Sequence, residues 1–393
     1  MKKMLINYVK YSRFLYYFYY YIMNTVIYFL GIFIRTEKRL ILFNSYAGRK
    51  YDDSPKIIFE QIKKDHRFSK HRLVWAFHQP SDFQVEGAEV IKTDTMRYFL
   101  TALKAGVWVT NSSVERGLHF KKKEAFYLNT WHGTPIKKMG SDIGEVNQSF
   151  SVKKSDEIDC FLVQSDFEQD VFLRTFHVPV SNFLKCGLPR NDILSHYSEE
   201  ERALIRQKLN IPEDRKVILY CPTYREFEKD SNKGCMLKPP MDLPKWKNEL
   251  GNEYVLFFRA HYEVATMMDI QDDIFVRNMT LYPSLNELMI ASDLLISDYS
   301  SVFIDYSIMD KPMYHFTYDY EKYTENRGLY FDIREYLSGG STEDEVIQLL
   351  QNSDEESEVE NTRRLRTDYV QYYGHAAEAA VDRIAEHLGL GDK

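Results

Sequence analysis

Two doubly wound α/β domains are the fold class this sequence predicts, and three observations lead there. The chain has 393 residues, more than a single hydrophobic core usually organises. From residue 39 onward, short apolar runs alternate with helix-sized segments, the pattern of parallel strands joined by crossover helices. The pattern runs to about residue 190, gives way to charged helical text (NDILSHYSEEERALIRQKLNIPEDR), and then starts again. In such sheets ligands sit beyond the carboxyl ends of the strands. Two domains of this kind facing each other would enclose a cleft.

The segment ahead of the first domain, residues 1–38, differs in character. Lys2, Lys3, Lys10, Arg13, Arg35, Lys38 and Arg39 stand against Glu37 alone in the first 39 residues, while the whole chain carries a net charge of -7. A basic leader on an acidic body suggests that the leader meets an anionic membrane surface. Residues 14–34, FLYYFYYYIMNTVIYFLGIFI, are uncharged and long enough to span a bilayer. Their tyrosines and the positive flanks on both sides favour a helix lying in the inner leaflet's interface. A single span and a buried core helix are the alternatives. A cleaved signal peptide fits poorly, since no small-residue cleavage site follows.

Composition excludes several classes. With 44% apolar and 28% charged residues the bulk is globular, and its acidic balance argues against a general nucleic-acid binder. The four cysteines, Cys160, Cys186, Cys221 and Cys235, have no Cys-x-x-Cys spacing and no paired histidines beside them. Buried free thiols in a reducing compartment are expected, not a disulfide framework or a zinc site.

In chain order, strands are expected at 39–45 (RLILFNS), 71–77, 105–112, 124–133, 159–166 and 182–187, forming an N-terminal domain over 39–195. A Gly-containing loop, Tyr46 to Tyr51, follows the first strand, and Pro55 opens a helix, where proline is tolerated. A second domain over 196–370 takes strands at 216–226, 253–262, 274–279, 293–297 and 312–316. The polar segment 227–242 reads as a surface loop, and residues 371–393 close the chain as a C-terminal helix.

The strand ends carry the chemistry. In DLLISDYSSVFIDYS, residues 293–307, a buried strand turns through Ser300 and Ser301 into a short helix bearing Asp305. Paired hydroxyls at a helix start suit a phosphate, with an acidic residue one turn on; an ordinary Ser cap is the alternative. His132 follows the strand YLNT and precedes Gly133, which lets a substrate approach the backbone, with Lys137 and Lys138 near. A histidine there can take a proton near neutral pH. Arg225 follows Pro222 and Thr223; Arg259, Ala260 and His261 end another strand; Arg190 lies in GLPRND near the domain seam. Arginine forks match phosphate oxygens, although each could instead be a structural ion pair. Four polar clusters at strand ends, three of them basic, point to a diphosphate. No G-x-G-x-x-G, Walker loop or G-x-S-x-G occurs, and no Asp-x-Asp ends a strand, so neither a cofactor nor a metal is required.

Taken together, WHGTPIKKMG, GLPRND, CPTYR, RAHY and SDYSSVFIDYSIMDKP, with FTYDYEKYTENRGLYFD after them, resemble the CDP-glycerol glycerophosphotransferase family of teichoic-acid primases and polymerases. The resemblance covers about residues 39–335 and five motifs in family order. It implies a GT-B-like fold of two Rossmann-like domains, associated peripherally with the cytoplasmic face of the cell membrane. By motif, His132 resembles the family's catalytic base. His132, Gly133, Thr134, Pro135 and Ile136 match the region lining the donor's glycerol phosphate. Arg190, Pro222, Thr223, Arg259, Ala260 and His261 match CDP-glycerol-binding positions, His261 also acting in catalysis. Ser300 and Ser301 match the diphosphate pair, and Asp305 the acidic residue beyond it. Cys221 and Tyr224 depart from the family's usual Ala and Trp.

The implied reaction moves glycerol phosphate from CDP-glycerol to a hydroxyl of a lipid-linked saccharide or a growing poly(glycerol phosphate), releasing CMP. A ribitol-phosphate or capsule-type transferase using CDP-ribitol is an alternative, as are a UDP-sugar transferase and a non-catalytic nucleotide-binding scaffold.

Overall fold

A computed structural model describes residues 12–143, 157–223, 225, 229–230, 234–235, 240–260, 268 and 270–391. The chain divides into two compact units. The first takes the described residues up to His132, Gly140–Asp192 and those from His375 on; the second takes Gly133–Met139 and Ile193–Gly374.

The first unit is built on seven parallel strands: β1 (Glu37–Asn44), β2 (Arg72–Phe77), β3 (Glu89–Lys92), β4 (Ala105–Thr110), β5 (Phe126–Asn129), β6 (Cys160–Val163) and β7 (Phe183–Lys185). They lie in the order β3-β2-β1-β4-β5-β6-β7. The central strands are buried on both faces, which is why they read as continuous apolar runs. The chain winds outward from β1 in one direction, then from β4 in the other, so the topological switch point lies between β1 and β4. Gly106 makes that junction possible: a Cβ there would lie 2.7 Å from the Lys38 Cα.

Helix α1 (Arg13–Phe33) precedes the sheet. It turns Tyr20 and Ile27, seven residues apart, inward onto the first unit, and Asn24 Oδ1 accepts the His119 N–H at 2.6 Å. Its other side is open: Phe14, Phe18, Tyr21, Tyr28, Phe29, Ile32 and Phe33 are all exposed. Among the described residues no helix is long and apolar enough to cross a membrane. Helix α2 (Asp53–Lys64) buries Ile58, Phe59 and Ile62 against Phe43 and Trp75. The chain's last helix returns to the same core, adding Ala380, Val381, Ile384 and Ala385. Each large aliphatic buried there stabilises by roughly 1.5–3 kcal/mol.

The second unit holds β8 (Lys216–Cys221), a two-residue ladder of β9 (Lys229–Asp230) with β10 (Gly234–Cys235), β11 (Tyr254–Phe258), β12 (Val276–Asn278), β13 (Leu294–Ser297), β14 (Met313–Phe316) and β15 (Gly339–Gly340). Its main sheet is parallel, in the order β12-β11-β8-β13-β14-β15. The winding reverses between β8 and β13, which puts the second switch point there. Ile218, Leu256, Phe258, Ile296 and Phe316 pack against Trp246, Leu250, Val346 and Ile347.

Candidate active site

The first unit's switch point gathers polar residues from strand ends far apart in sequence. β5 ends in a strained turn: Trp131 has φ +49°, uncommon for a bulky residue, and the Asn129 side chain holds its N–H at 2.9 Å. The strain delivers the next residue, His132, towards β4. There its Nδ1 lies 2.8 Å from the Asn111 carbonyl oxygen. A carbonyl only accepts, so Nδ1 carries the proton and Nε2 keeps the lone pair. Burial lowers the imidazole's affinity for a proton, and the neighbouring Arg190 charge works the same way. The Asn111 carbonyl and Asp53 oppose them without reversing the shift. His132 is therefore neutral at pH 7, with its ring stacked on Trp131 at 4.1 Å between centroids.

Arg190 Nη1 donates both to Asp53 Oδ2 at 2.7 Å and to the His132 carbonyl oxygen at 2.9 Å. Burial is the largest influence on the Asp53 carboxyl and pushes it up. Arg190, the Tyr46 hydroxyl and the Ser54 N–H together outweigh it and hold the group below its ordinary value. Arg190 thus contacts the backbone of the predicted base directly. The sequence did not single out Tyr46, Asp53 or Asn111; the Gly-containing loop after β1 marks the neighbourhood of Tyr46, and Asn111 sits directly beyond β4 with no such signal.

Gly133, Thr134, Pro135 and Ile136 belong to the second unit. Gly133 has φ +134°, a conformation that favours glycine. Ile136 is buried, its carbonyl accepts the Tyr330 N–H at 2.8 Å, and Lys137 bridges to Leu329 in antiparallel fashion.

At the second switch point three adjacent strand ends carry the remaining residues. β11, β8 and β13 run side by side, with Phe258 opposite Tyr220 and Ile296 opposite the same residue. Arg259 and Ala260 therefore follow β11, Pro222 and Thr223 follow β8, and Ser300 and Ser301 follow β13, all at one edge of the sheet. The Thr223 N–H is held by both oxygens of Asp298, at 2.9 and 3.1 Å. Arg259 Nη1 donates to the carbonyls of Met279 and Tyr282, at 3.1 and 2.7 Å, which fixes the half-buried guanidinium beside the sheet edge. Ser301 begins the helix Val302–Tyr306 without a side-chain capping bond, whereas Ser300 Oγ accepts the Val302 N–H at 3.3 Å. The helix's Asp305 is buried, with its N–H on the Ser301 carbonyl. His261 and Tyr224 lie outside the described residues.

Arg225 takes the structural role left open for it. It is 1% exposed, pairs with Asp298 at 2.9 Å, and forks onto Asp319 at 2.7 and 2.8 Å. The rings of Tyr299, Tyr318 and Tyr323 surround the guanidinium. It is a buried strut between the ends of β8 and β13, not a surface for phosphate.

A family model described as CDP-Glycerol:Poly(glycerophosphate) glycerophosphotransferase matches residues 26–386. The chain belongs to this family. Glycerophosphotransferase activity of the teichoic-acid type follows from that membership. Among relatives of the glycerophosphotransferase, the teichoic acid glycerol-phosphate transferase of Staphylococcus aureus (strain NCTC 8325 / PS 47) is 33% identical over 81% of this chain and 85% of its own length. The teichoic acid poly(glycerol phosphate) polymerase of Bacillus subtilis (strain 168) is 31% identical over 80% of this chain, which spans 44% of that polymerase. Among solved structures, the wall teichoic acid polymerase TagF aligns at a TM-score of 0.81 and 30% identity, covering 90% of each chain. A TagF variant has also been soaked with CDPG.

Proposed function

We propose that this glycerophosphotransferase moves glycerol phosphate from CDP-glycerol onto a hydroxyl of a lipid-linked saccharide or a growing poly(glycerol phosphate) chain. The acceptor oxygen attacks the glycerol-bearing phosphorus, its proton passes to His132 Nε2, and the bond to CMP breaks, CMP carrying away the bonding pair. Such a transfer needs positioning and charge stabilisation more than covalent chemistry. The observation that carries the reading is the bond from His132 Nδ1 to the Asn111 carbonyl, which leaves Nε2 unprotonated on a neutral ring. A well-placed general base contributes about 10²–10⁴-fold.

In this reading the donor's phosphates lie at the ends of β8, β11 and β13. Arg259 and the Ser300–Ser301 turn offset their charge, and Asp305 steadies that turn. His261 joins them by family resemblance. The exposed aromatic side of α1 lies flat in the cytoplasmic leaflet's interface, with the basic flanks on anionic lipid, and keeps the enzyme near a lipid-bound acceptor.

The test is CMP release with a lipid-saccharide mimic, comparing CDP-glycerol, CDP-ribitol and UDP-sugars as donors. CDP-glycerol should be preferred, and His132→Ala should abolish turnover while CDP-glycerol still binds. Near-normal turnover by His132→Ala would remove His132 as the base; a preference for another donor would change the substrate.

A further inference from the structure

His132 is gripped at two points, and the two grips are joined. One is its Nδ1 on the Asn111 carbonyl at 2.8 Å; the other is its own carbonyl, which accepts from Arg190 Nη1 at 2.9 Å. From Arg190 the contacts run to Asp53 Oδ2 at 2.7 Å, and from that same oxygen to the Tyr46 hydroxyl. The Tyr46 N–H then donates to Asn111 Oδ1 at 2.8 Å. The path closes on itself: His132, Arg190, Asp53, Tyr46, Asn111, and back to His132. Five residues, from the loops after β1, β4 and β5, a short helical turn after β7 (Pro189–Asn191) and the start of α2, form a single ring of hydrogen bonds around the switch point between β1 and β4.

Asp53 is the member with most at stake. It is 7% exposed, it opens α2 with φ +65°, and its second oxygen accepts the Ser54 N–H at 2.6 Å. A buried carboxylate in a left-handed conformation costs free energy unless the contacts it makes repay it. Two of its partners, Arg190 and Tyr46, also touch His132 or its acceptor residue Asn111. The Tyr46 ring stands 5.7 Å from the imidazole.

We propose that Asp53 is a positioning residue for the reaction: through Arg190 and Tyr46 it closes the ring that fixes the place and the tautomer of His132. Asp53 touches no reacting atom. It anchors the guanidinium that holds the His132 backbone and the phenol whose residue holds Asn111. The charged and titratable groups facing His132 among the described residues are Asp53, Arg190 and Tyr46, with the Lys50 ammonium over the Tyr46 ring at 5.3 Å. Losing the Asp53 charge removes an influence that raises the imidazole's proton affinity and leaves the opposing one from Arg190. The proposal rests on His132 being the base, so its test reads His132 itself as well as turnover.

The experiment compares Asp53→Asn and Tyr46→Phe with the unaltered enzyme. Asparagine tolerates a positive φ, so Asp53→Asn removes charge without a new backbone conflict. Tyr46→Phe keeps the ring and removes only the hydroxyl, and it decides the matter should Asp53→Asn fail to fold. Nitrogen-15 NMR of labelled histidine gives the His132 tautomer and titration midpoint. CMP release gives kcat and KM for CDP-glycerol against pH. The expected result for Asp53→Asn is a smaller Nδ1–H fraction, a lower His132 midpoint, and a kcat reduced about 10²-fold, the scale of a small misplacement. The donor KM should change less than kcat, and the acid limb of the rate profile should move to lower pH. Tyr46→Phe should move the tautomer and kcat in the same direction by less. An unchanged His132 tautomer and midpoint in the folded variants overturns the proposal, whatever the activity. Should His132→Ala remain active, the base assignment falls while the NMR result still decides whether Asp53 positions His132.

Discussion

Replacing Arg225 with methionine should destabilise the second unit severely, by an amount that follows from its contacts. The guanidinium is 1% exposed and holds Asp298 at 2.9 Å and Asp319 through two bonds of 2.7 and 2.8 Å. It also donates to the Thr223 carbonyl at 2.6 Å. Both carboxylates are buried, at 1% and 8% exposure of their side chains. Methionine keeps the length and apolar stem but leaves two buried carboxylates without their shared cation. Removing one partner of a buried pair costs about 3–5 kcal/mol, and two orphaned carboxylates place this case at the upper end. Native-state hydrogen exchange of the β8 and β13 amides reads the effect directly. Their protection should fall by on the order of 10³–10⁴-fold, at about 1.4 kcal/mol per decade. Arg225→Lys should be intermediate, since a point charge cannot fork onto Asp319. The KM for CDP-glycerol should rise in both, because Asp298 also holds the Thr223 N–H. A loss of protection below tenfold in Arg225→Met would refute the strut.

The other outcomes concern the base, the leader and the thiols. Burial holds the His132 midpoint below its usual 6.5, and the proposed base works only when neutral, so kcat/KM should rise with pH through a limb centred below 6.5 and stay flat above it; a limb centred above 7 in a pH series would contradict this. Phe18→Glu and Phe29→Glu on the open side of α1 should each weaken binding to anionic vesicles about tenfold or more, the worth of one buried aromatic; unchanged co-sedimentation would remove the interfacial role. Cys160 and Cys221 are buried and their thiols are pushed up to about 12 by burial, so both should resist iodoacetamide at pH 8 until the chain is unfolded, as mass spectrometry of the labelled protein would show.

The strands were legible where burial on both faces leaves an unbroken apolar run, as in β1, β8 and β13. They were illegible where the sheet ends. β3 (Glu89–Lys92) shows only one buried residue, Ile91, and β15 is a pair of glycines, so neither carries an apolar signature. The polar residues of the strand ends were legible for a related reason: a polar cluster breaking an apolar run marks the end of a parallel strand, where ligands sit. Arg225 shows the limit of that rule. It ends β8 like Arg259 ends β11, yet its acidic partner Asp319 lies 94 residues away, and only the folded sheet brings the two together.

His132 carries the same lesson into chemistry. Its residue type and its place after an apolar strand could be read, but not which nitrogen holds the proton. That depends on Asn111, 21 residues earlier, and on Asp53 and Arg190, 137 residues apart from each other. These residues meet because β1, β4 and β5 are neighbours in the sheet while α2 follows β1 over the same edge. A histidine with its Nδ1 proton spent on a backbone carbonyl can accept at Nε2 alone. In the proposed reaction the direction of proton transfer follows from this bond, and the bond follows from the strand order that sets β5 beside β4.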